Sequence, residues 1–145
     1  MWSERPVWKE PSDLLIVSNS GRAMAESAAR GGYRVTVVDA FCDADTSAVA
    51  ACGCVSMEAR GLDAEDLRRA VGRLAAQDGG LGLVYGAGLE HTPETLSWLA
   101  GRFRLIGNAP MVLALLADPG RFFALLDGLD IPYPQTRLEP PAPGP

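Results

Sequence analysis

The feature that most constrains this 145-residue chain is the regular alternation of short apolar runs with helical segments. Leu14–Val17 is a continuous apolar run, as expected of a strand buried on both faces of a sheet. The Ala-rich segment Arg22–Arg30 follows it, and Gly31 and Gly32 end that segment. Strands that alternate with helices in this way indicate a parallel sheet with helices on both faces. The sequence therefore predicts a Rossmann-like, three-layer α/β fold.

The other elements continue the alternation to the end of the chain. About five strands are predicted, mostly parallel, at residues 14–17, 33–39, 54–57, 81–85 and 103–106. Helical segments are predicted at residues 22–30, 43–51, 63–78, 92–101, 110–117 and 119–129. Capping acids or a proline at the first helical position favour several of these helix starts. The order of the strands in the sheet cannot be read from the sequence.

The domain organisation follows from the two ends of the chain. Residues 1–12 form an N-terminal arm, and residues 13–117 form a domain long enough to bury a sizeable core. Residues 118–145 contain a last helix, an Ile131–Thr136 exit with two prolines, and a proline-rich tail. We interpret this segment as a linker toward a second domain that is missing from the chain.

Composition excludes several classes of function. The chain has 13 basic and 18 acidic residues and no basic run, which argues against a nucleic-acid interface. No apolar stretch reaches the ~20 residues that a transmembrane helix needs. The segment Met1–Pro6 lacks the apolar centre of a signal peptide. We therefore expect a cytoplasmic protein that binds neither nucleic acids nor membranes.

The three cysteines, Cys42, Cys52 and Cys54, are few and odd in number. Cys52 and Cys54 are too close along a strand for good disulfide geometry. A zinc site would need four ligands, usually at wider spacing, and nothing in the sequence brings His91 near. We expect reduced, packed thiols and no metal site.

Ligands of open parallel sheets bind beyond the carboxyl ends of the strands, and the first segment predicted there is Ser18–Arg22. Asn19, Ser20, Gly21 and Arg22 offer an amide, a hydroxyl, backbone N–H groups and a cation at a helix start. This combination suits an anion. A simple turn with a helix cap explains the same residues, and the segment lacks the later glycines of a dinucleotide fingerprint.

The second segment follows the strand that Asp39 closes. An acid at this position is what a Rossmann domain uses to bind a ribose. With Asp39, the carboxylates of Asp43 and Asp45 could attract a cation or an amine. For Asp43 and Asp45 we favour the alternative that they cap the following helical turn.

The third segment follows the fourth strand and contains Gly86, Gly88, Glu90 and His91. Two glycines at a strand end let a ligand or another domain approach the backbone closely. His91 is the only histidine, and without a visible Ser or Cys partner it forms no catalytic triad. We expect His91 to be an exposed loop residue and Glu90 to contact a ligand, and we predict no catalytic residue.

Three motifs resemble those of a known family. The segment Tyr85-Gly-Ala-Gly-Leu-Glu90 resembles the Gly-Tyr-Gly-Phe-Leu-Ser-Glu loop of biotin carboxylases. Leu105–Asn108 with Pro110 is similar to their Phe-Ile-Gly-Pro turn, and Asp118–Thr136 is similar to their exit into the ATP-grasp core. The chain thus resembles the pre-ATP-grasp domain of biotin carboxylases and carboxylate–amine ligases.

A narrower resemblance covers about residues 12–137. Ser20–Ala28 and Val38–Thr46 are similar to a branch of predicted ATP-grasp ligases found in methylotrophic bacteria and archaea. That branch includes enzymes that attach glutamate to a tyramine-derived amine in one-carbon cofactor synthesis. One departure is Pro119-Gly-Arg121 after Asp118, where many ATP-grasp proteins have Asp-Lys.

The resemblance implies an ATP-dependent ligase that joins a carboxylate to an amine. ATP and Mg²⁺ would bind to the absent C-terminal ATP-grasp domain, so this chain alone is expected to be inactive and to hold no cofactor. Its part would be one wall of the substrate cleft, with Asn19, Ser20 and Arg22 on an anion side and Glu90 on an amine side. A small amine or amino acid is the implied substrate, and homodimers occur in the family.

Two other interpretations stay open. The chain could be a stand-alone nucleotide- or dinucleotide-binding module that uses Ser18–Gly21 and Asp39. It could instead be a non-catalytic dimerisation domain with an exposed apolar face that includes Phe122, Phe123 and Leu126.

Overall fold

A sheet of five parallel strands forms the centre of the protein in a computed structural model, which describes residues 13–75 and 81–139. In chain order the elements are β1 (Asp13–Val17), α1 (Arg22–Arg30), β2 (Arg34–Asp39), α2 (Ala44–Val49), β3 (Ala51–Cys54), β4 (Met57–Glu58), β5 (Gly61–Leu62), α3 (Ala64–Leu74), β6 (Gly82–Tyr85), α4 (Pro93–Ala100), β7 (Arg104–Leu105), α5 (Pro110–Leu116) and α6 (Pro119–Gly128). The strand order of the sheet is β3-β2-β1-β6-β7, and a separate two-stranded antiparallel hairpin pairs β4 with β5.

Helices pack on both faces of the sheet. Neighbouring residues of β1 point to opposite sides, so they contribute to two different apolar clusters. Leu15 and Val17 lie in the larger apolar cluster, which includes Leu67 of α3 and Leu96 of α4. Ile16 lies in the smaller cluster on the other face, with residues of β2 and of α1. The predicted α/β fold with a mostly parallel sheet of about five strands is confirmed.

The sheet contains a topological switch point between its two central strands. From β1 the chain moves outward through β2 to β3, and it then crosses back to place β6 on the other side of β1. At the carboxyl end of β1, Val17 is paired with Val38 of β2 and with Tyr85 of β6. Ligands of open α/β sheets bind in the crevice at such a point.

Most predicted elements are confirmed to within a few residues, but the third strand was predicted too late. It forms at Ala51–Cys54, where it pairs with Thr36–Asp39, and not at residues 54–57. The later residues pass into the β4–β5 hairpin, whose two-residue strands are too short to give a periodic pattern. The N-terminal arm, the break at Gly79-Gly80 and the end of the proline tail lie outside the described residues.

The two last helices differ from the others in burial. Neither α5 nor α6 contains a buried residue. Asp118 caps α6 by accepting a hydrogen bond of 3.1 Å from the Arg121 N–H. Within the described ranges, no helix combines the length and the apolar character that crossing a membrane requires.

Candidate functional site at the carboxyl edge of the sheet

Three loops meet beyond the carboxyl ends of β1, β2 and β6, and we call residues 18–21, 40–43 and 86–92 the edge loops. The Asn19 N–H donates a hydrogen bond of 2.6 Å to the Ala87 carbonyl, and the Ala40 N–H donates one of 3.2 Å to the Asn19 carbonyl. The first edge loop therefore lies between the other two. The structure brings the predicted residues Asn19, Gly86 and Gly88 together at the switch point.

Gly88 fits against Asn19 only because it has no side chain. Its φ is +110°, a conformation that other residues rarely adopt, and a Cβ there would lie 2.0 Å from Asn19 Oδ1. The Gly88 carbonyl in turn accepts a hydrogen bond of 3.2 Å from Leu62 N–H, which ties the β4–β5 hairpin to this loop. Among the described residues, the buried Asn19 Oδ1 has no hydrogen-bond partner.

Asp39 organises two of the edge loops from a fully buried position. Its Oδ2 accepts the Gly21 N–H at 2.9 Å, and its Oδ1 accepts the Phe41 and Cys42 N–H groups at 3.0 and 2.7 Å. Both carboxylate oxygens thus accept backbone N–H groups, and neither is exposed to bind the hydroxyl groups of a ribose. This arrangement gives no support to a dinucleotide module that binds through Asp39.

The start of α1 leaves backbone donors at the edge. Gly21 is the N-cap residue, has no side chain to cap the helix, and is followed by a first turn without an acid. A Cβ at Gly21 would lie 2.5 Å from Val37 Cγ1, so the α1 start packs directly on β2. Ser20 is exposed beside these donors. Free N–H groups and the helix dipole together favour an anion here.

Arg22 meets the acids of the second edge loop and of α2. Its guanidinium lies 3.4 Å from Asp45 Oδ2 and 3.9 Å from Asp43 Oδ2, with about half of its side chain exposed. Asp43 caps α2 by accepting a hydrogen bond of 2.8 Å from the Thr46 N–H, which confirms the capping interpretation for Asp43 alone. Hydrogen bonding from Thr46 lowers the pKa of Asp43, and Arg22 adds to the effect. Asp45 lies in the first turn and is not the cap.

Glu90 folds back over its own loop. Its Oε2 accepts a hydrogen bond of 2.7 Å from the Gly88 N–H, and its side chain is half-buried. His91 next to it is exposed, as expected. Glu90 therefore contributes a carboxylate to the same edge as Asn19.

The expectation of three reduced cysteines was wrong for two of them. Cys42 and Cys52 form a disulfide with a Cα–Cα distance of 5.7 Å. Cys42 has a left-handed backbone (φ +41°), and Cys52 lies on β3 opposite Val37 of β2. Cys54 is a free, exposed thiol. The Asp39 carboxylate, Cys42 and Cys52 also form a group with ligand atoms within 4.8 Å of one another.

A cavity at the opposite, amino edge of the sheet does not mark this site. It has a volume of about 620 Å³, and its lining includes Asp13, Arg34, Arg73 and Leu81. Asp13 and Leu81 are the first residues of the two described ranges. The cavity contains none of the predicted site residues, so the loop geometry is the better guide to function.

Comparison with known proteins shows a shared fold. No family model and no curated protein matches the chain. N5-carboxyaminoimidazole ribonucleotide synthetase from Thermus thermophilus matches 83% of the chain at 21% identity, with a TM-score of 0.59. The corresponding synthetase from Staphylococcus aureus, complexed with ADP, matches 85% at 20% identity and 0.58. The biotin carboxylase domain of a single-chain bacterial carboxylase matches 82% at 20% identity and 0.59.

These matches also show how the chain relates to the larger proteins. It spans 31% of the length of each of the two synthetases and 29% of the carboxylase domain. Identities near 20% establish common architecture and not a common reaction. The five-stranded parallel sheet with its flanking helices is therefore a Rossmann-like α/β fold that the chain shares with part of these larger proteins.

Proposed function

We propose that this chain is the substrate-side N-terminal domain of an ATP-grasp ligase that joins a carboxylate to an amine. The observation that carries the proposal is the meeting of three polar edge loops at the switch point of a sheet with the pre-ATP-grasp fold. The chain spans only 31% of the synthetase and 29% of the carboxylase domain that share this fold. The proposal therefore concerns a larger protein, of which this chain is the front part.

In such a ligase, ATP phosphorylates the carboxylate to give an acyl phosphate and ADP. The amine then attacks the acyl carbon, and inorganic phosphate leaves. ATP and Mg²⁺ belong to the C-terminal ATP-grasp domain, whose residues are not in this chain. Catalysis of this kind depends mainly on positioning and on neutralising charge. The role of this domain is to bind and orient the substrates.

We assign the anion side of the cleft to the first edge loop. Asn19 and Ser20 offer polar side chains, and the open N–H groups at the α1 start favour a negative group. Arg22 adds a cation whose present partners, Asp43 and Asp45, are carboxylates that a substrate carboxylate or phosphate could replace. Gly21 and Asp39 act indirectly, because they hold this loop in place.

We assign the amine side to the third edge loop. Glu90 supplies a carboxylate, and Gly86 and Gly88 let the first loop come close to it. An ammonium group of a small amine or an amino acid would be attracted there. The tyramine-derived amines of the one-carbon cofactor branch are the specific substrates that the sequence resemblance favours.

An exposed apolar surface on α5 and α6 supports the idea of a C-terminal partner. Met111 is 78% exposed and Leu129 is 58% exposed. Phe122, Phe123 and Leu126, which were expected on this face, are half-buried, and Phe123 packs on Tyr133 with ring centroids 4.7 Å apart. The surface that the ATP-grasp domain would cover therefore consists of the neighbouring residues. They are Met111, Val112, Leu116, Leu125, Leu129, Ile131 and Leu138.

Three observations test the proposal. Titration calorimetry on this chain should show no strong binding of MgATP, NAD or NADP, whereas micromolar NAD or NADP binding would contradict it. The gene that encodes the chain should continue past Pro145 into an ATP-grasp domain. The longer product should release inorganic phosphate over many turnovers only when an amine and a carboxylate are both present.

Variants of the longer product test the assigned residues. Glu90→Gln should raise the KM for the amine about tenfold or more, because it removes the charge that binds an ammonium. Glu94→Gln, an exposed neighbour in α4, is the matched control and should leave KM unchanged. An equal KM for the amine in both variants would remove Glu90 from the site.

A further inference from the structure

We propose that Cys42 and Cys52 form a reversible disulfide that controls the mobility of the edge loops, with a small-molecule disulfide such as oxidised glutathione as its oxidant. The two cysteines are ten residues apart in sequence and are bonded to each other. The bond joins the second edge loop, which follows β2, to β3 at the edge of the sheet. It therefore closes the segment that carries Asp43, Asp45 and α2.

The disulfide is coupled to the site through Asp39. The Cys42 N–H donates a hydrogen bond of 2.7 Å to Asp39 Oδ1, and Cys52 Sγ lies 3.9 Å from the same oxygen. The other carboxylate oxygen holds the Gly21 N–H at the start of α1. Asp39 therefore contacts both the disulfide and the backbone of the proposed anion site. A change in the bonding of Cys42 can reach that backbone through this one residue.

The local structure also provides access for thiol exchange. Cys42 and Cys52 are half-buried, not sealed in the core, and the neighbouring Phe41 is 63% exposed. Disulfides with solvent access exchange with small thiols, whereas deeply buried ones do not. Cys54, two residues beyond Cys52, is an exposed thiol outside the bond and serves as an internal reference.

The exchange reaction balances with glutathione alone. One protein thiolate attacks a sulfur of oxidised glutathione and forms a mixed disulfide, which releases one reduced glutathione. The second protein thiolate attacks the protein sulfur of that mixed disulfide and releases the second. Two protein thiols are oxidised to one disulfide, and one glutathione disulfide is reduced to two thiols.

The first test measures the bond. The folded chain is equilibrated with a series of ratios of reduced to oxidised glutathione, quenched with an alkylating reagent and analysed by mass spectrometry of its peptides. We expect Cys42 and Cys52 to pass together from alkylated to bonded, while Cys54 is never paired with either of them. Failure of the pair to form in excess oxidised glutathione, or failure to reverse in the folded chain, would overturn the proposal.

The second test measures the coupling by amide hydrogen exchange. On reduction, the Phe41, Cys42 and Gly21 amides, which bond to Asp39, should exchange about tenfold faster, because the loop is no longer closed. The same rates in both redox states would contradict the coupling. The Cys42→Ser variant should show the faster rates in both states, and Cys54→Ser should behave like the unmodified chain.

A metal titration distinguishes the proposed reversible disulfide from a metal site formed by the same residues. The reduced chain is titrated with Zn²⁺ alone, since Asp39, Cys42 and Cys52 together could offer ligands. We expect no stoichiometric uptake. Binding of one Zn²⁺ per chain that Cys52→Ser abolishes would make the group a metal site and overturn the redox role. No test requires a ligase substrate, so failure here is distinct from failure of the proposed function.

Discussion

At the scale of single residues, Asp39 is the group on which the edge loops depend most. Its carboxylate is fully buried and accepts three backbone N–H groups from two loops. A sequence identifies such an acid at a strand end, but the same position serves for ribose binding in other Rossmann domains. Burial distinguishes the two roles, and burial depends on the packing of loops that are distant in sequence.

Replacing Asp39 should therefore reduce stability. In Asp39→Asn, one buried N–H faces an amide NH₂ in place of a carboxylate oxygen. We expect the free energy of unfolding to fall by about 2–3 kcal/mol. Urea unfolding at neutral pH measures the change, and Asp45→Asn, at an exposed position in α2, should change it by less than about 0.5 kcal/mol. Equal midpoints for the two variants would contradict the organising role of Asp39.

Gly88 and Gly72 make a matched pair for a second test. Gly88→Ala should destabilise the fold by about 1–3 kcal/mol, because its positive φ and the 2.0 Å approach to Asn19 Oδ1 leave no room for a methyl group. Gly72 lies inside α3, and a Cβ added there would have nothing within 4 Å. Gly72→Ala should therefore stabilise the fold by about 0.5–1 kcal/mol. Thermal unfolding gives both signs, and a stabilising Gly88→Ala would show that the loop does not have this conformation.

At the scale of elements, helix boundaries were more predictable than the third strand. Asp43, Asp63 and Asp118 each accept an N–H bond at a helix start, and each is an acid directly before the helix in sequence. The third strand begins at Ala51 and contains Gly53, so it lacks the β-branched residues that identify a strand. Its position follows from pairing with β2, a tertiary effect that local patterns do not contain.

Only part of the candidate site could be predicted, because some of its contacts depend on tertiary structure. The topology of a parallel sheet brings the ends of β1, β2 and β6 to one edge whatever the loops contain, so Asn19, Gly86 and Gly88 were found together. The Cys42–Cys52 pair was missed because Cys52 lies on β3, whose pairing with β2 brings it close to Cys42 and is a tertiary effect. Whether each predicted side chain contacts a substrate stays a prediction.

The start of α3 gives an acid-sensitive element. Hydrogen bonds from Ser56, and the Arg69 guanidinium, lower the pKa of Asp66 in the folded chain. A carboxyl group with a lowered folded pKa adds stability above its unfolded pKa of about 4, and this contribution is lost as the pH falls through the folded value. The stability difference between the unmodified chain and Asp66→Asn should therefore shrink from about pH 6 to about pH 3.

Urea unfolding at several pH values measures this difference. Glu94→Gln, which removes an exposed acid at the start of α4, is the comparison variant for the loss of one charge. A constant difference for Asp66→Asn over the whole range would show that its hydrogen bonds with Ser56 and Arg69 do not favour the ionised form.

At the scale of the whole molecule, the exposed apolar side chains of α5 and α6 should make the isolated chain associate. We expect light scattering to show an apparent mass that rises with concentration, because such surfaces are normally covered. The double variant Met111→Lys, Leu129→Lys should reduce the association and leave the melting temperature nearly unchanged, since both side chains are exposed. A strictly monomeric chain at all concentrations would remove self-association through this surface.

The β4–β5 hairpin has a consequence for detecting ligands. It touches the third edge loop through the Leu62–Gly88 hydrogen bond, while its tip at Ala59 and Arg60 is exposed. A fluorophore attached at the tip stands outside the crevice yet is mechanically connected to the loop that carries Glu90. Its emission should change when a ligand occupies the crevice, and the fluorophore should not block ligand entry. The hairpin could then serve to screen candidate amines and acids for binding.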